Sequence, residues 1–134
     1  SGHPVSAAVA NETLRIYEDQ NIINHVRDMT PHLQEGLGAL TDHPLVGEVR
    51  GKGLVAGVEL VKDKANHTPF DTDLNVGSFC NQRAEEHGLI VRAIGDTISF
   101  CPPLIISKEE IKEIIERFKL ALDDTWEWLC SIKE

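Results

Sequence analysis

The sequence predicts an α+β domain: a small antiparallel or mixed four-stranded sheet with helices packed over it, in the order α-α-β-β-α-β-β-α. Two observations predict it. Apolar residues recur at helical spacing before residue 41, around residues 76–87 and after Ser107. Between them stand two glycine-turned stretches, 46–61 and 89–100, that read as paired strands. With 134 residues, 41% hydrophobic, and no internal repeat or linker, the chain holds material for one core and one domain, residues 1–134.

Each element has its own signal. Pro4 suits the first turn of a helix, with Ser1 or Gly2 in the cap region. That helix carries Val5, Ala8, Val9, Leu14, Ile16 and Tyr17; its first half is Ala/Ser/Val, thin enough to lie close against another surface. Over 21–40, Ile22, Val26, Met29, Leu33, Leu37 and Leu40 form one apolar stripe on a second helix. Pro31 inside it predicts a kink or a restart, with Thr30 able to cap. Val46–Arg50 and Leu54–Val61 make a hairpin turned at Gly51-Lys52-Gly53, where glycines at both ends allow positive φ. Lys62–Asp73 is a polar surface loop. Asp73 or Asn75 caps a helix through His87, with Val76, Phe79, Cys80 and Ala84 inward and Gly88 just past its end. Leu89–Ala93 and Thr97–Phe100 make the second hairpin, turned at Gly95-Asp96 and ended by Pro102-Pro103. Ser107-Lys108-Glu109-Glu110 is a capping box for the last helix, whose core stripe is Ile111, Ile115, Phe118, Leu122, Trp126 and Leu129.

Composition excludes several classes of function. Net charge is −9 with no basic patch, which argues against a nucleic-acid partner. No apolar run approaches the roughly 20 residues that span a bilayer, and the opening SGHPVSAA lacks the charged and apolar regions of a signal peptide. Three widely spaced cysteines, Cys80, Cys101 and Cys130, fit a reducing, cytoplasmic compartment. Close Cys/His pairs are absent, so no metal site is expected.

Nucleophile elbows, phosphate loops and metalloprotease motifs are also absent. The six histidines (His3, His25, His32, His43, His67, His87) are scattered near loops and helix ends and suit surface or capping roles. Cys101 reads as an inert, half-buried thiol. Arg92 is the exception, a guanidinium inside a strand among apolar neighbours. Burying it is costly unless something anionic meets it. On the residues alone, an ion pair with Glu59 or Asp96 is the first account, and a carboxylate ligand that comes and goes is the second.

Three separated stretches, SGHPVSAAVANETLRIYE, HPLVGEVRGKGLVAGVEL and GLIVRAIGDTISFCPPLIIS, resemble the C-terminal part of class III pyridoxal-phosphate aminotransferases. Within that family they are most similar to the omega-transaminase (amine:pyruvate transaminase) branch, and the likeness runs from Ser1 to about Leu129. The resemblance implies the small domain of an enzyme that moves an amino group from an amine or omega-amino acid to pyruvate or another keto acid. It implies a homodimeric parent with pyridoxal 5′-phosphate in a large domain. There the cofactor is joined to a lysine that precedes the SGHP motif. That lysine, the aspartate on the pyridine nitrogen and the Thr-Tyr pair before SGHP have no counterpart here. Lys52, Lys62, Lys64, Lys108, Lys112, Lys119 and Lys133 match no catalytic position. No cofactor is therefore expected on this chain alone, and no catalytic residue is assigned.

One role carries over residue by residue. In the omega-transaminase pattern the arginine of VRAxGD, here Arg92, swings in to clamp a substrate carboxylate and swings out for an uncharged substrate. Arg50 in VRGKG is a lesser candidate, better read as paired with Glu48 or Asp63. The expected partners are the large domain of the same enzyme and a small amine or keto acid. A stand-alone binding or regulatory domain derived from the same fold is the alternative.

Overall fold

The computed structural model describes residues 2–132. Helices α1 (Pro4–Asp19), α2 (Ile22–Gly38), α3 (Val76–Glu86) and α4 (Lys108–Ser131) accompany strands β1 (Val46–Lys52), β2 (Val55–Leu60), β3 (Arg92–Ile94) and β4 (Thr97–Phe100). Their order is the expected one, with short 3-10 turns added at Ala39–Asp42 and Thr72–Leu74. The sheet runs β1-β2-β4-β3 and every pairing is antiparallel.

Helix α1 starts at Pro4 with His3, not Gly2, in the cap position; Ser1, the other cap candidate, lies outside the described residues. No residue of α1 is buried, and Val5, Val9 and Leu14 are exposed. Asn21, in the left-handed region at φ 53°, separates α1 from α2. Helix α2 runs through Pro31 without a break, so no restart occurs. Thr30 is not a cap either; its hydroxyl donates to the Val26 carbonyl one turn back, at 2.6 Å. The stripe of α2 does face the core, with Leu33 and Leu37 fully buried.

The first hairpin turns one step later than its glycines suggested. Lys52 pairs with Val55, so the turn is Gly53-Leu54 and Gly51 lies within β1. Only Gly53 has positive φ, at 62°. Helix α3 ends in a Schellman motif: Leu89 N–H reaches the Ala84 carbonyl, Gly88 N–H the Glu85 carbonyl, and Gly88 sits at φ 77°. At its start neither expected cap acts: Asn75 makes no side-chain cap bond and Asp71 caps the preceding 3-10 turn at Asp73 N–H. The capping box of α4 is formed as expected between Ser107 and Glu110.

Helices α2, α3 and α4 cover one face of the sheet. Phe118, Leu122 and Ile111 of α4 share one buried core with Ala56, Val58, Ile98 and Phe100, and Phe100 and Phe118 pack edge to face with ring centres 4.9 Å apart. Each fully buried aliphatic or aromatic side chain contributes about 1.5–3 kcal/mol. Among the described residues the side chains of the other, bare face, Val55, Glu59, Thr97 and Ser99 among them, are exposed or partly exposed.

Candidate functional site

Alternation along β2 sends Ala56, Val58 and Leu60 into the core and leaves Val55, Gly57 and Glu59 on the bare face. The strand registers carry that face across the sheet: Arg50 lies opposite Gly57, Gly57 opposite Ser99, and Ser99 opposite Arg92. One row therefore reads Arg50, Gly57, Ser99, Arg92, from edge strand to edge strand. Three strand spacings, roughly 14 Å, separate the two arginine backbones. Gly57 has no side chain to fill the middle. A shallow trough of about 600 Å³ results, lined by Arg50, Lys52, Val55, Gly57, Thr97 and Ser99 among others.

The two arginines live differently. Arg50 Nη1 donates to Glu48 Oε2 at 2.6 Å and to Glu59 Oε2 at 3.1 Å. These bonds hold its pKa above the ordinary guanidinium value. The pair with Glu48 is the expected one; Asp63, the other candidate, instead accepts from Ala65 N–H and Asn66 Nδ2. Arg92 is exposed and has no ion-pair or side-chain hydrogen-bond partner among the described residues. Neither expected pair with Glu59 or Asp96 forms, because Glu59 engages Arg50 and Asp96 Oδ1 accepts from Gly77 N–H at 2.8 Å.

Arg92 is not a buried strand residue as its neighbours suggested. Strand β3 begins at Arg92, not Leu89, and occupies an edge of the sheet. Leu89 is buried, Ile90 is 89% exposed, and the alternation that sends Ala93 toward the core turns Arg92 to the bare face. Local apolar density could not reveal which face or which edge the strand would take.

His25, His43, His87 and Cys80 make structural contacts. His25 Nε2 lies 2.9 Å from the Ile106 carbonyl, and His87 Nε2 lies 2.8 Å from Asp124 Oδ2. His43 Nδ1 accepts from Leu45 N–H while Nε2 stands 3.4 Å from Asp123 Oδ1. Burial lowers the His43 pKa and outweighs the opposing pull of Asp123. Burial likewise pushes the Cys80 thiol up to about 11, so it is an inert core group. Cys101 is exposed, not half-buried, because it follows the last residue of β4. Among the described residues no cluster of His, Cys, Asp or Glu could hold a metal ion, and no helix is long and apolar enough to cross a membrane.

Two features of the site were not among the expectations. Glu59 as the partner of Arg50 was readable from strand alternation, since both fall on the outward phase of the first hairpin. The Asp96–Gly77 contact joins residues far apart in the chain, and a glycine in the first turn of a helix was its only local sign.

Residues 1–122 match the family profile described as Aminotransferase class-III. Gamma aminobutyrate transaminase 3, chloroplastic, of Solanum lycopersicum is 48% identical over 125 residues, 93% of this chain and 24% of the relative. Putrescine–pyruvate aminotransferase of Pseudomonas aeruginosa is 48% identical over 126 residues, 93% of this chain and 27% of its own length. The solved structure of the omega transaminase from Pseudomonas jessenii in complex with PMP superposes with a TM-score of 0.89 at 49% identity, over 95% of this chain and 28% of its own. The chain spans about a quarter of the length of the curated relatives it matches.

Proposed function

The chain belongs to the class-III aminotransferases, and on that footing we propose that residues 1–134 are the C-terminal small domain of a pyridoxal-phosphate enzyme. That enzyme moves an amino group from an amine or omega-amino acid to pyruvate or another keto acid. The bare sheet face forms one wall of the substrate cleft, and Arg92 holds the carboxylate of the keto acid or amino acid. One observation carries this reading: among the described residues Arg92 stands without a partner, on a face where the other arginine has two carboxylates. A guanidinium offers a planar fork of donors that meets both oxygens of a carboxylate. With no internal acid to hold it, Arg92 can take the substrate's carboxylate and return to water when a substrate has none.

Pyridoxal phosphate supplies the amino-transfer chemistry when bound, but the residues described here do not fit it. Lys52, Lys62, Lys64, Lys108, Lys112 and Lys119 are all exposed, and an amine activated for covalent chemistry is usually desolvated or set beside another cation; Lys133 lies outside the described residues. The cofactor is accordingly assigned to the large domain of the same enzyme. The exposed Val5, Val9 and Leu14 of α1 support contact with a further surface, that domain or the second subunit of a homodimer. Three free thiols support a reducing, cytoplasmic setting. In this reading the 134-residue chain alone is inactive, and transamination by the purified chain supplied with pyridoxal phosphate would overturn it.

The role of Arg92 is tested in the complete aminotransferase of which this segment is proposed to be part. Arg92→Ala is expected to raise KM for pyruvate by about 10- to 100-fold, the loss of a charge-assisted contact worth about 1.5–3 kcal/mol. KM for an uncharged aldehyde acceptor is expected to stay within about twofold. An equal effect on both acceptors sinks the assignment.

A further inference from the structure

The β3–β4 hairpin that carries Arg92 is anchored to α3 by one acidic side chain. Asp96, the second residue of its turn, presents Oδ1 to Gly77 N–H at 2.8 Å. Gly77 is the second residue of α3, so its N–H is among the four that lack an acceptor within the helix. Asn75, in the cap position, makes no side-chain bond to the helix. A residue distant in sequence therefore does what a cap would do, with a carboxylate suited to the positive end of the helix. The backbone of Asp96 is tied as well: its carbonyl accepts from Leu60 N–H at 2.8 Å, which joins the turn to β2.

The seat is tight and specific. A Cβ on Gly77 would stand 2.1 Å from the Gly95 carbonyl oxygen and 2.9 Å from Asp96 Cα, so only glycine lets the turn come this close. Strand β3 has three residues and pairs with β4 alone. Its place is set by β4, by the turn and by its own packing against α3, and Arg92 is its first residue.

We propose that Asp96 is a positioning residue: by holding Gly77 N–H it fixes the β3–β4 turn on α3, and with it the direction from which Arg92 reaches a substrate carboxylate. Asp96 touches no substrate and acts through the hairpin. The inference rests on the reading of Arg92 as the carboxylate contact, and the experiment separates the two.

In the complete aminotransferase, Asp96→Ala, Asp96→Asn, Arg92→Ala and the double Asp96→Ala/Arg92→Ala variant are compared with pyruvate and with a neutral aldehyde as acceptor. Asp96→Ala is expected to raise KM for pyruvate about tenfold, the scale of one hydrogen bond to a charged group, and to leave the aldehyde unchanged. The double variant should add nothing to Arg92→Ala, since both changes remove one function. Asn keeps an oxygen for Gly77 N–H, so Asp96→Asn should restore most of the pyruvate affinity. If Arg92→Ala is selective for pyruvate and Asp96→Ala is not, whether it affects both acceptors equally or neither, the positioning role is overturned and the Arg92 reading stands. If Arg92→Ala itself is unselective, both fall. Failure of Asp96→Asn to rescue also overturns the hydrogen-bond account.

Discussion

The two hairpins of this sheet are built alike and bonded differently. Each is antiparallel, each turns at a two-residue step that includes a glycine, and each places one arginine on the bare face in the same row. In the β1–β2 hairpin the arginine is tied twice, to Glu48 beside it and to Glu59 across from them. In the β3–β4 hairpin the acid that might have answered Arg92 is instead spent on α3. The first hairpin settles its arginine within itself. The second settles its backbone against a helix and leaves its charge outward. A side chain that must meet a changing ligand is best mounted on a fixed support with no competing internal partner, and of the two arginines in the row only Arg92 has that arrangement among the described residues.

The sharpest way to break the comparison is to unseat the second hairpin. Gly77→Ala puts a methyl group 2.1 Å from a backbone carbonyl oxygen, and neither the helix nor the turn has a flexible end to give way. The expected cost is about 3 kcal/mol, more than the roughly 1 kcal/mol that alanine gains over glycine in a helix. Gly57→Ala on the bare face meets only the Thr97 methyl at 3.3 Å and is expected to cost no more than about 1 kcal/mol. Urea unfolding of the 134-residue chain measures both. An unchanged midpoint for Gly77→Ala would mean that the turn moves freely on α3, and the contrast between a tied and a seated hairpin would disappear.

That contrast shows how far the sequence could be read. The apolar stripes of α2 and α4 and the Ser107–Glu110 box are local, periodic signals, and they gave the helices and their inward faces correctly. Turn position was harder, because Gly51 and Gly53 could both have supplied a positive φ and the pairing of Lys52 with Val55 decides between them. The identity of Arg92 as the residue of interest was legible in its apolar neighbourhood and in the family motif. Its exposure was not, since that follows from an edge position and a late strand start that only the assembled sheet defines. Asp96 was legible as a turn residue and illegible as a cap, because its partner is Gly77 on another element.

The smallest expected effect sharpens the other half of the comparison. Arg50 and its two acids are about half exposed, and such surface ion pairs contribute about 0–1 kcal/mol. Arg50 has a further task, because Glu48 and Glu59 face each other directly across β1 and β2. Like charges in that position repel, and the guanidinium between them removes the repulsion. Arg50→Ala should therefore cost about 1 kcal/mol at low ionic strength and less as salt screens the two acids. Arg92→Ala, with no internal partner to lose, should leave stability within about 0.5 kcal/mol. In the complete enzyme the order reverses: Arg50→Ala should leave KM for pyruvate within about twofold, where Arg92→Ala raises it at least about tenfold. A stability loss confined to one arginine and an affinity loss confined to the other is what separate duties require. Should Arg50→Ala weaken pyruvate as much as Arg92→Ala does, the two ends of the row act as one anion site, and the division between a self-contained hairpin and an outward-facing one is wrong.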